Sequence, residues 1–280
     1  MSTTTPAPTA VLTGLTTADF GGQPFGPQLI AHIVSTIVGG SPVTSTFTRL
    51  ATNRDSVAFP IVSDVTGAAW VPELGEIPAL NLSDSTDTVT VAKLAGLLTV
   101  SKEAFDDASF PVERQVERLL VDKFSAKLDS DLLNGSTPTP PAPTGILAGA
   151  ASVSGTDLEL AAINAMVAIE TAGGHPDYIA MSPTTLGQVL SERDSQDRPL
   201  WRDAATSLAG LRTVLSPALT TPIVYDSSRI YLVIRDGFHV AMSDTADGAW
   251  DHYAISLRLV GRFAAAVPDA NSAIRTLTVA

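Results

Sequence analysis

Val57, Phe59 and Ile61 alternate with small or polar neighbours, a period-two pattern that predicts a strand with one face buried or against a partner. Residues 42–62 read as strand material, with a turn at Asn53-Arg54-Asp55. Pro60 removes a ladder donor and so places its strand at an edge. Val89 and Val91 repeat the alternation, which makes Thr88–Val91 the return arm of a hairpin. Leu94, Leu98 and Val100 continue it, but on even positions. A one-residue change of phase exchanges a strand's faces, so a bulge or twist is expected near Ala92–Leu94, with Ser101-Lys102-Glu103 closing the strand. Residues 62–87, between the arms, are polar and contain Pro and Asp. A loop of that length inside a compact domain signals function or a partner.

The period then changes. Val112, Val116, Leu119, Leu120, Phe124, Leu128 and Leu132 recur at threes and fours. The gaps hold Glu113, Arg114, Glu117, Arg118, Asp122, Lys123, Lys127, Asp129 and Asp131. This predicts a helix over 110–134, roughly 37 Å long at 1.5 Å per residue. Ser109 is its expected cap, Pro111 sits in its first turn and Gly135 ends it. Pro138–Pro143 reads as a stiff linker. Upstream, residues 1–26 are rich in Thr, Pro and Gly and read as an extended or disordered arm. Pro27 opens a short helix through Leu29, Ile30, Ile33, Val34 and Ile37, stopped by Gly39-Gly40. The second half alternates element types. A helix is expected over 157–171, a buried strand at Tyr178–Met181, and a helix capped by Ser182-Pro183. Strands follow near Thr213–Leu215, Ile223–Tyr225, Ile230–Ile234, Phe238–Met242, Tyr253–Val260 and Ile274–Val279. The fold class is α+β, without a fixed-period repeat.

Composition narrows the function. With 280 residues, 45% of them hydrophobic, the chain has material for a sizeable core and a prior of two domains. It has no Cys, which excludes disulfides, thiol catalysis and cysteine metal sites. The first basic residue is Arg49, so the N-terminus is not that of a secretory signal, and no apolar run approaches a membrane span. A soluble protein used inside a cell is expected. A net charge of -12 argues against tight nucleic-acid binding, which needs Lys and Arg on phosphates. The only lysines are Lys93, Lys102, Lys123 and Lys127.

Candidate chemistry is sparse. The chain lacks a Gly-rich phosphate loop ending in Gly-Lys, Gly-x-Gly-x-x-Gly, His-Glu-x-x-His and Gly-x-Ser-x-Gly. His32, His175, His239 and His252 are scattered without metal-ligand spacing. Glu73 and Glu76 fall in the loop tip, where no pocket is expected to separate their pKa values, so they read as solvated or partner-facing. Asp106-Asp107 suit a helix N-terminus. Trp70, Trp201 and Trp250 lack the interleaved cations of a base-stacking platform. Trp201 reads as core or contact surface, and Trp70 as either an interface anchor or a locally packed side chain.

The order of elements resembles the major capsid proteins of tailed phages with the Hong Kong 97 fold, from about residue 27 onward. Ala69-Trp70-Val71-Pro72-Glu73 is similar to the tip of that family's extended loop. Val91-Ala92-Lys93-Leu94-Ala95 and Val100-Ser101-Lys102-Glu103 are similar to its return strand, and the helix 110–134 to its spine helix. Asn134-Gly135 with Pro143-Thr144-Gly145-Ile146-Leu147 resembles the crossing into the axial domain. Tyr178–Pro183 with Asp197-Arg198-Pro199-Leu200 resembles that domain's strand, helix and loop. Leu257-Arg258, Gly261-Arg262, Pro268 and Ala270 resemble the closing segment. Two features depart from the family pattern. Ser227-Ser228-Arg229 stands where Gly-Asp-Phe-like residues are usual. The loop has no basic residue between Arg54 and Lys93, so the loop-Lys to Asn cross-link of some members is not expected.

The resemblance implies an N-terminal arm and short helix over 1–41, and an extended loop over 56–101. It implies a peripheral domain of 42–55, 102–139 and 236–267 with the spine helix, and an axial domain of 140–235 and 268–280. It implies a non-enzymatic shell protein of the virion, assembled in the host cytoplasm into hexamers and pentamers around packaged DNA, without cofactors or membrane. A portal, decoration proteins and either a separate scaffolding protein or assembly without one are implied, since the N-terminal arm, with Asp19 its only Asp, Glu, Lys or Arg, does not read as the long charged coiled coil of a scaffolding segment. An encapsulin-like nanocompartment shell is the runner-up, and a hydrolase with a dispersed site is a third reading from another class. Asp64, Glu73, Glu76, Asp84 and Asp87 make the loop acidic, so it is expected to dock where a neighbour offers cations. Arg114 and Arg118 on the spine helix are the first candidates, and Arg193, Arg198 and Arg202 the second.

Overall fold

The computed structural model describes residues 42–66, 70–73, 81–103, 112–134, 142–201, 203–245 and 249–279. The expected N-terminal arm and helix, the Ser109 and Gly135 helix ends, Asp106-Asp107, most of the proline linker, Glu76 and Arg202 lie outside those residues.

The hairpin arms pair as their alternation requires. β1 (Thr48–Ala51) turns into β2 (Ser56–Thr66), which pairs antiparallel with β3 (Asn81–Thr90); Val57 faces Val89 and Phe59 faces Asp87. Residues 42–47 are not strand but a turn and a short 3-10 helix, Thr44–Thr46. The ladder continues well past the predicted arms to Thr66 and Asn81, so much of the loop is paired ribbon. β3 is polar at every position except Leu82 and Val89, which suits a two-stranded ribbon with no core of its own.

The change of phase has a different cause from the expected bulge. β3 ends at Thr90 and β4 (Ala92–Ser101) begins a second sheet, with Val91 N–H donating to the Asp55 carbonyl at 2.9 Å between them. Val89 and Val91 face one surface and Leu94 and Leu98 another because the chain changes sheets. The ribbon's one register shift lies instead between Val62 and Asp64.

α1 (Val112–Asn134) follows. Leu128, Leu132 and Leu133 are buried, but Leu119, assigned to the apolar stripe from its spacing, is 60% exposed. Asp129, assigned to the polar face, is buried. The inward stripe runs Val121, Phe124, Ser125, Leu128, Asp129, Leu132, a 3.6-residue repeat that carries two polar groups inside. Thr44 Oγ1 and Ser216 Oγ each lie 3.5 Å from an Asp129 carboxylate oxygen.

The second half is built from β5 (Ala151–Gly155), α2 (Leu158–Thr171), β6 (Tyr178–Met181) and α3 (Pro183–Ser191). β7 (Ser207–Leu208), β8 (Leu211–Leu215) and β9 (Ile223–Tyr225) follow. Asp157 caps α2 by accepting from Leu160 N–H at 2.7 Å, and Ser182 caps α3 by accepting from Thr185 N–H at 3.1 Å. β10 (Tyr231–Ser243) is one strand where two were expected, interrupted by irregular register around Asp236. β11 (Ala254–Ala266), the short helix α4 (Ala270–Ala273) and β12 (Ile274–Val279) close the chain.

Two larger sheets result, ordered β1-β10-β11-β4 and β5-β12-β9-β6-β8-β7. The C-terminal end of α1 lies between them. Its leucines share one core with Leu257, Leu259 and Phe263 of the first sheet and with Ile223, Tyr225 and Ile274 of the second. Val224, between Ile223 and Tyr225, points the other way, into a core with α2 and α3. Burial on both faces explains why β6 and β9, at the centre of the second sheet, read as continuous apolar runs.

Gly174 follows α2 where the chain passes α4: a Cβ there would meet the Ser272 carbonyl oxygen at 1.9 Å. Gly174→Ala is expected to destabilise the unassembled chain by about 1–3 kcal/mol in thermal or denaturant unfolding. Gly187, inside α3 with open space around it, is the contrast. Gly187→Ala should stabilise by about 0.5–1 kcal/mol.

Candidate inter-subunit surfaces

The ribbon stands on the first sheet through its base. Val57, Phe59, Val89 and Val91 pack with Leu50 and Tyr231 against Val233, Ala264 and Ala266. The Phe59 and Tyr231 rings are 5.2 Å apart. Complete burial of such a side chain contributes about 1.5–3 kcal/mol. The half-buried set of four therefore holds the base with about 3–6 kcal/mol, an upper figure. An Asp55–Arg235 ion pair closes the turn beside it. Beyond Phe59 the ribbon runs seven further residues to Thr66, roughly 23 Å at 3.3 Å per residue.

Each predicted contact residue has a distinct setting. Asp64 is in β2 opposite Ser83, and Asp84 is in β3 opposite Val62. Asp87 is half-buried near the base, while Trp70 and Glu73 are exposed. Trp70 is fully exposed, so local packing does not occupy it. Arg114 and Arg118 are on α1, and Arg118 is exposed. Arg193 lies 3.8 Å from Asp197, and Arg198 Nε lies 3.0 Å from Asp194. These last two cations already have carboxylate partners within their own loop.

Asp194 organises that loop. It accepts from the backbone N–H of Arg198 at 2.9 Å and of Gln196 at 2.8 Å, and Asp197 takes a left-handed conformation at φ 59 to complete the turn. The Arg198 amide, then the Gln196 amide and the Arg198 guanidinium, hold the Asp194 carboxyl below its ordinary value against some desolvation. Trp201 packs on the α2–α3 core and donates from Nε1 to Glu192 at 2.7 Å.

One cationic group went unrecognised in the sequence. The outer face of the first sheet, opposite α1, carries Lys93, Arg258, Arg262 and His239 on three adjacent strands. Lys93 and Arg262 face each other directly, as do Leu97 and Arg258. The signal was present in the spacing, since 258 and 262 share one strand face and 93 and 97 share another. What was missing was the pairing of β4 with β11.

Polar residues at the junction of the sheets serve the fold. Asp226 accepts from His175 N–H at 2.9 Å and Ser228 Oγ at 2.6 Å, while Asp177 accepts from Ser227 Oγ at 2.6 Å. Arg229 donates to Ser272 Oγ at 2.7 Å. The Ser227-Ser228-Arg229 departure is thus a capped 3-10 turn leading into β10. Among the described residues no group of three His, Asp or Glu could hold a metal ion. No described helix is long and apolar enough to cross a membrane.

The model of the Phage capsid family matches residues 21–278. A chain of Mycobacterium phage Adephagia superposes with a TM-score of 0.70 at 22% identity, covering 87% of this chain and 89% of that one. The capsid of a native GTA particle gives 0.68 at 17% identity over 98% and 94%. A chain of Gordonia phage Cozz gives 0.70 at 16% identity over 86% of each. At these identities the likeness is one of fold. No curated protein matches the chain.

The Asp194 loop has a defined pH response. A carboxyl whose folded pKa is depressed contributes stability above its unfolded value, and that stability is lost as pH falls through the folded pKa. Hydrogen exchange at the Gln196 and Arg198 amides should show protection at neutral pH that disappears below the ordinary Asp value of about 3.9. Asp194→Asn should remove the acid-dependent step.

Proposed function

The chain belongs to the phage capsid family, and from that membership we propose how its parts are assigned within the shell. It is a structural, non-enzymatic protein of the virion that assembles with copies of itself, with a mixed α+β fold of the Hong Kong 97 type. In the proposed assignment the first sheet and α1 form the peripheral domain, with α1 as its spine helix. The second sheet with α2 and α3 forms the axial domain. The β2–β3 ribbon is the extended loop, with its foot at Asp55 and Val91.

The shell is held without covalent bonds. Hexamers and pentamers meet through the ribbon, whose acidic residues Asp64, Glu73, Glu76, Asp84 and Asp87 lie on cations of a neighbouring copy, with Trp70 as an apolar anchor. Arg114, Arg118, Arg193, Arg198 and Arg202 remain contact candidates; of these, Arg193 and Arg198 are weakened by their own carboxylates. A separate scaffolding protein, a portal and decoration proteins complete the head. DNA is packed nearby without sequence-specific binding, as the acidic balance suits.

The observation that carries this reading is the ribbon itself. Among the described residues its packing on the sheet is that of its foot, its ladder runs on to Thr66 and Asn81, and the sequence contains no Lys or Arg between Arg54 and Lys93. A rim ion pair contributes about 0.2–1 kcal/mol, and repetition over a closed shell multiplies it. Negative-stain microscopy of the expressed chain, alone and with candidate scaffolding, should show capsomers or icosahedral shells; a lone monomer under every condition would remove the reading. Boiled particles on a denaturing gel should run as single chains, whereas a high-mass ladder would contradict non-covalent assembly. Glu73→Lys with Glu76→Lys should lower particle yield and leave the melting temperature of the unassembled chain unchanged.

A further inference from the structure

We propose that Asp129 and Asn134 are positioning residues for assembly: from the C-terminal half of α1 they clasp the 216–220 turn of the second sheet and fix the angle between the two sheets on which the curvature of the shell depends. The inference goes beyond the assignment of domains above and rests on it.

The clasped turn joins β8 to β9 and moves with the second sheet. Ser216 N–H donates to the Met181 carbonyl of β6 at 3.1 Å, Ala218 N–H to Ser216 Oγ at 3.3 Å, and Leu219 N–H to the Ser216 carbonyl at 3.3 Å. Asn134, at the end of α1, meets this turn with both ends of its amide. Its Nδ2 donates to the Ala218 carbonyl, and its Oδ1 accepts from Thr220 N–H at 3.4 Å and Thr220 Oγ1 at 3.2 Å. Earlier on the same helix, Asp129 Oδ2 accepts from Ser216 Oγ and Oδ1 from Thr44 Oγ1, each at 3.5 Å. Thr44 opens the 3-10 turn that leads into β1, and Thr46 of that turn shares a 2.8 Å hydrogen bond with the Tyr225 hydroxyl of β9. The entry to the first sheet, α1 and the second sheet therefore meet on one carboxylate.

Attachment of α1 does not need these groups. Leu128, Leu132 and Leu133 already bury it against both sheets. Yet Thr44, Ser125, Asp129 and Ser216 are all buried beside that apolar core. Taking a carboxylate out of water is costly, and apolar residues in place of a buried polar group are often as stable or more so. What the polar groups add is direction. Apolar burial scales with area and is indifferent to angle, whereas a hydrogen bond weakens as its geometry departs from the ideal. The leucines hold α1 on, and Asp129 and Asn134 set how it lies. The contacts of Asp129 are at the long limit and those of Asn134 are shorter, so the helix is pinned at its end and held more loosely before it. Such a pivot suits one chain that enters both hexamers and pentamers, since a closed assembly fixes the angle at which copies meet.

Particle diameter by electron microscopy, set beside the melting temperature of the unassembled chain, tests the clasp. Asp129→Leu/Ser216→Ala should melt no lower than the unaltered chain, yet give particles of mixed diameter, the share at the unaltered diameter falling about threefold or more. Asn134→Ala should broaden the diameters in the same way. Asp129→Asn, which keeps hydrogen-bonding partners for both hydroxyls, should restore one diameter. Leu186→Ala, in the separate core under α3, should lower the melting temperature and the yield and leave the diameter unchanged. Thr220→Val, at an exposed position, carries the test should the core variants fail to fold. A single unaltered diameter from the Asp129, Asn134 and Thr220 variants, or an equal spread from Leu186→Ala, overturns the clasp and leaves the shell intact. Failure of the unaltered chain to form particles would instead overturn the shell reading.

Discussion

β11 carries apolar residues on both of its faces, and the arrangement of the molecule follows from covering them. Leu257, Leu259 and Phe263 go under the C-terminal end of α1, into a core that also holds Tyr225 and Ile274 of the second sheet. Ala264 and Ala266 go under the foot of the ribbon. Small residues there let Phe59 and Tyr231 close over the sheet, which sets where the ribbon starts. Between these covered ends, Arg258 and Arg262 replace apolar residues on the outer face, and the cover stops. One strand therefore ties the two sheets together, anchors the arm and leaves Arg258 and part of Arg262 open on the outer face.

The ribbon shows how a locally weak element is made useful. A two-stranded hairpin is marginal alone in water, and this one rests on four apolar side chains at one end. Beyond that foot Pro60, Ser85 and Thr86 are exposed. Its composition is polar, and its charged residues between Arg54 and Lys93 are all acidic. The same properties suit it to a partner that supplies cations.

α1 illustrates where spacing misleads. A pattern of threes and fours identifies a helix but leaves its rotation open, because neighbouring stripes can be nearly as apolar. Leu119 and Asp129 exchanged their expected roles because α1 meets two sheets, and the space between them admits Asp129 beside the hydroxyls of Thr44 and Ser216. Its burial is a tertiary outcome, since both hydroxyls come from segments far away in sequence.

The sequence by itself determined most of the elements and their order. Alternation marked the ribbon arms, an apolar stretch marked α2, the Ser182-Pro183 cap marked α3, and the absence of loop cations was plain from composition. It also located the break of phase near Ala92, because side-chain direction follows from position within a strand. It did not determine why the phase breaks, which is a change of sheet set by the pairing of β4 with β11. Nor did it bring Lys93 to Arg262, or Leu97 to Arg258. Those neighbours lie more than 150 positions apart, and only strand pairing, a long-range contact with no local signature, could put four separated side chains on one face.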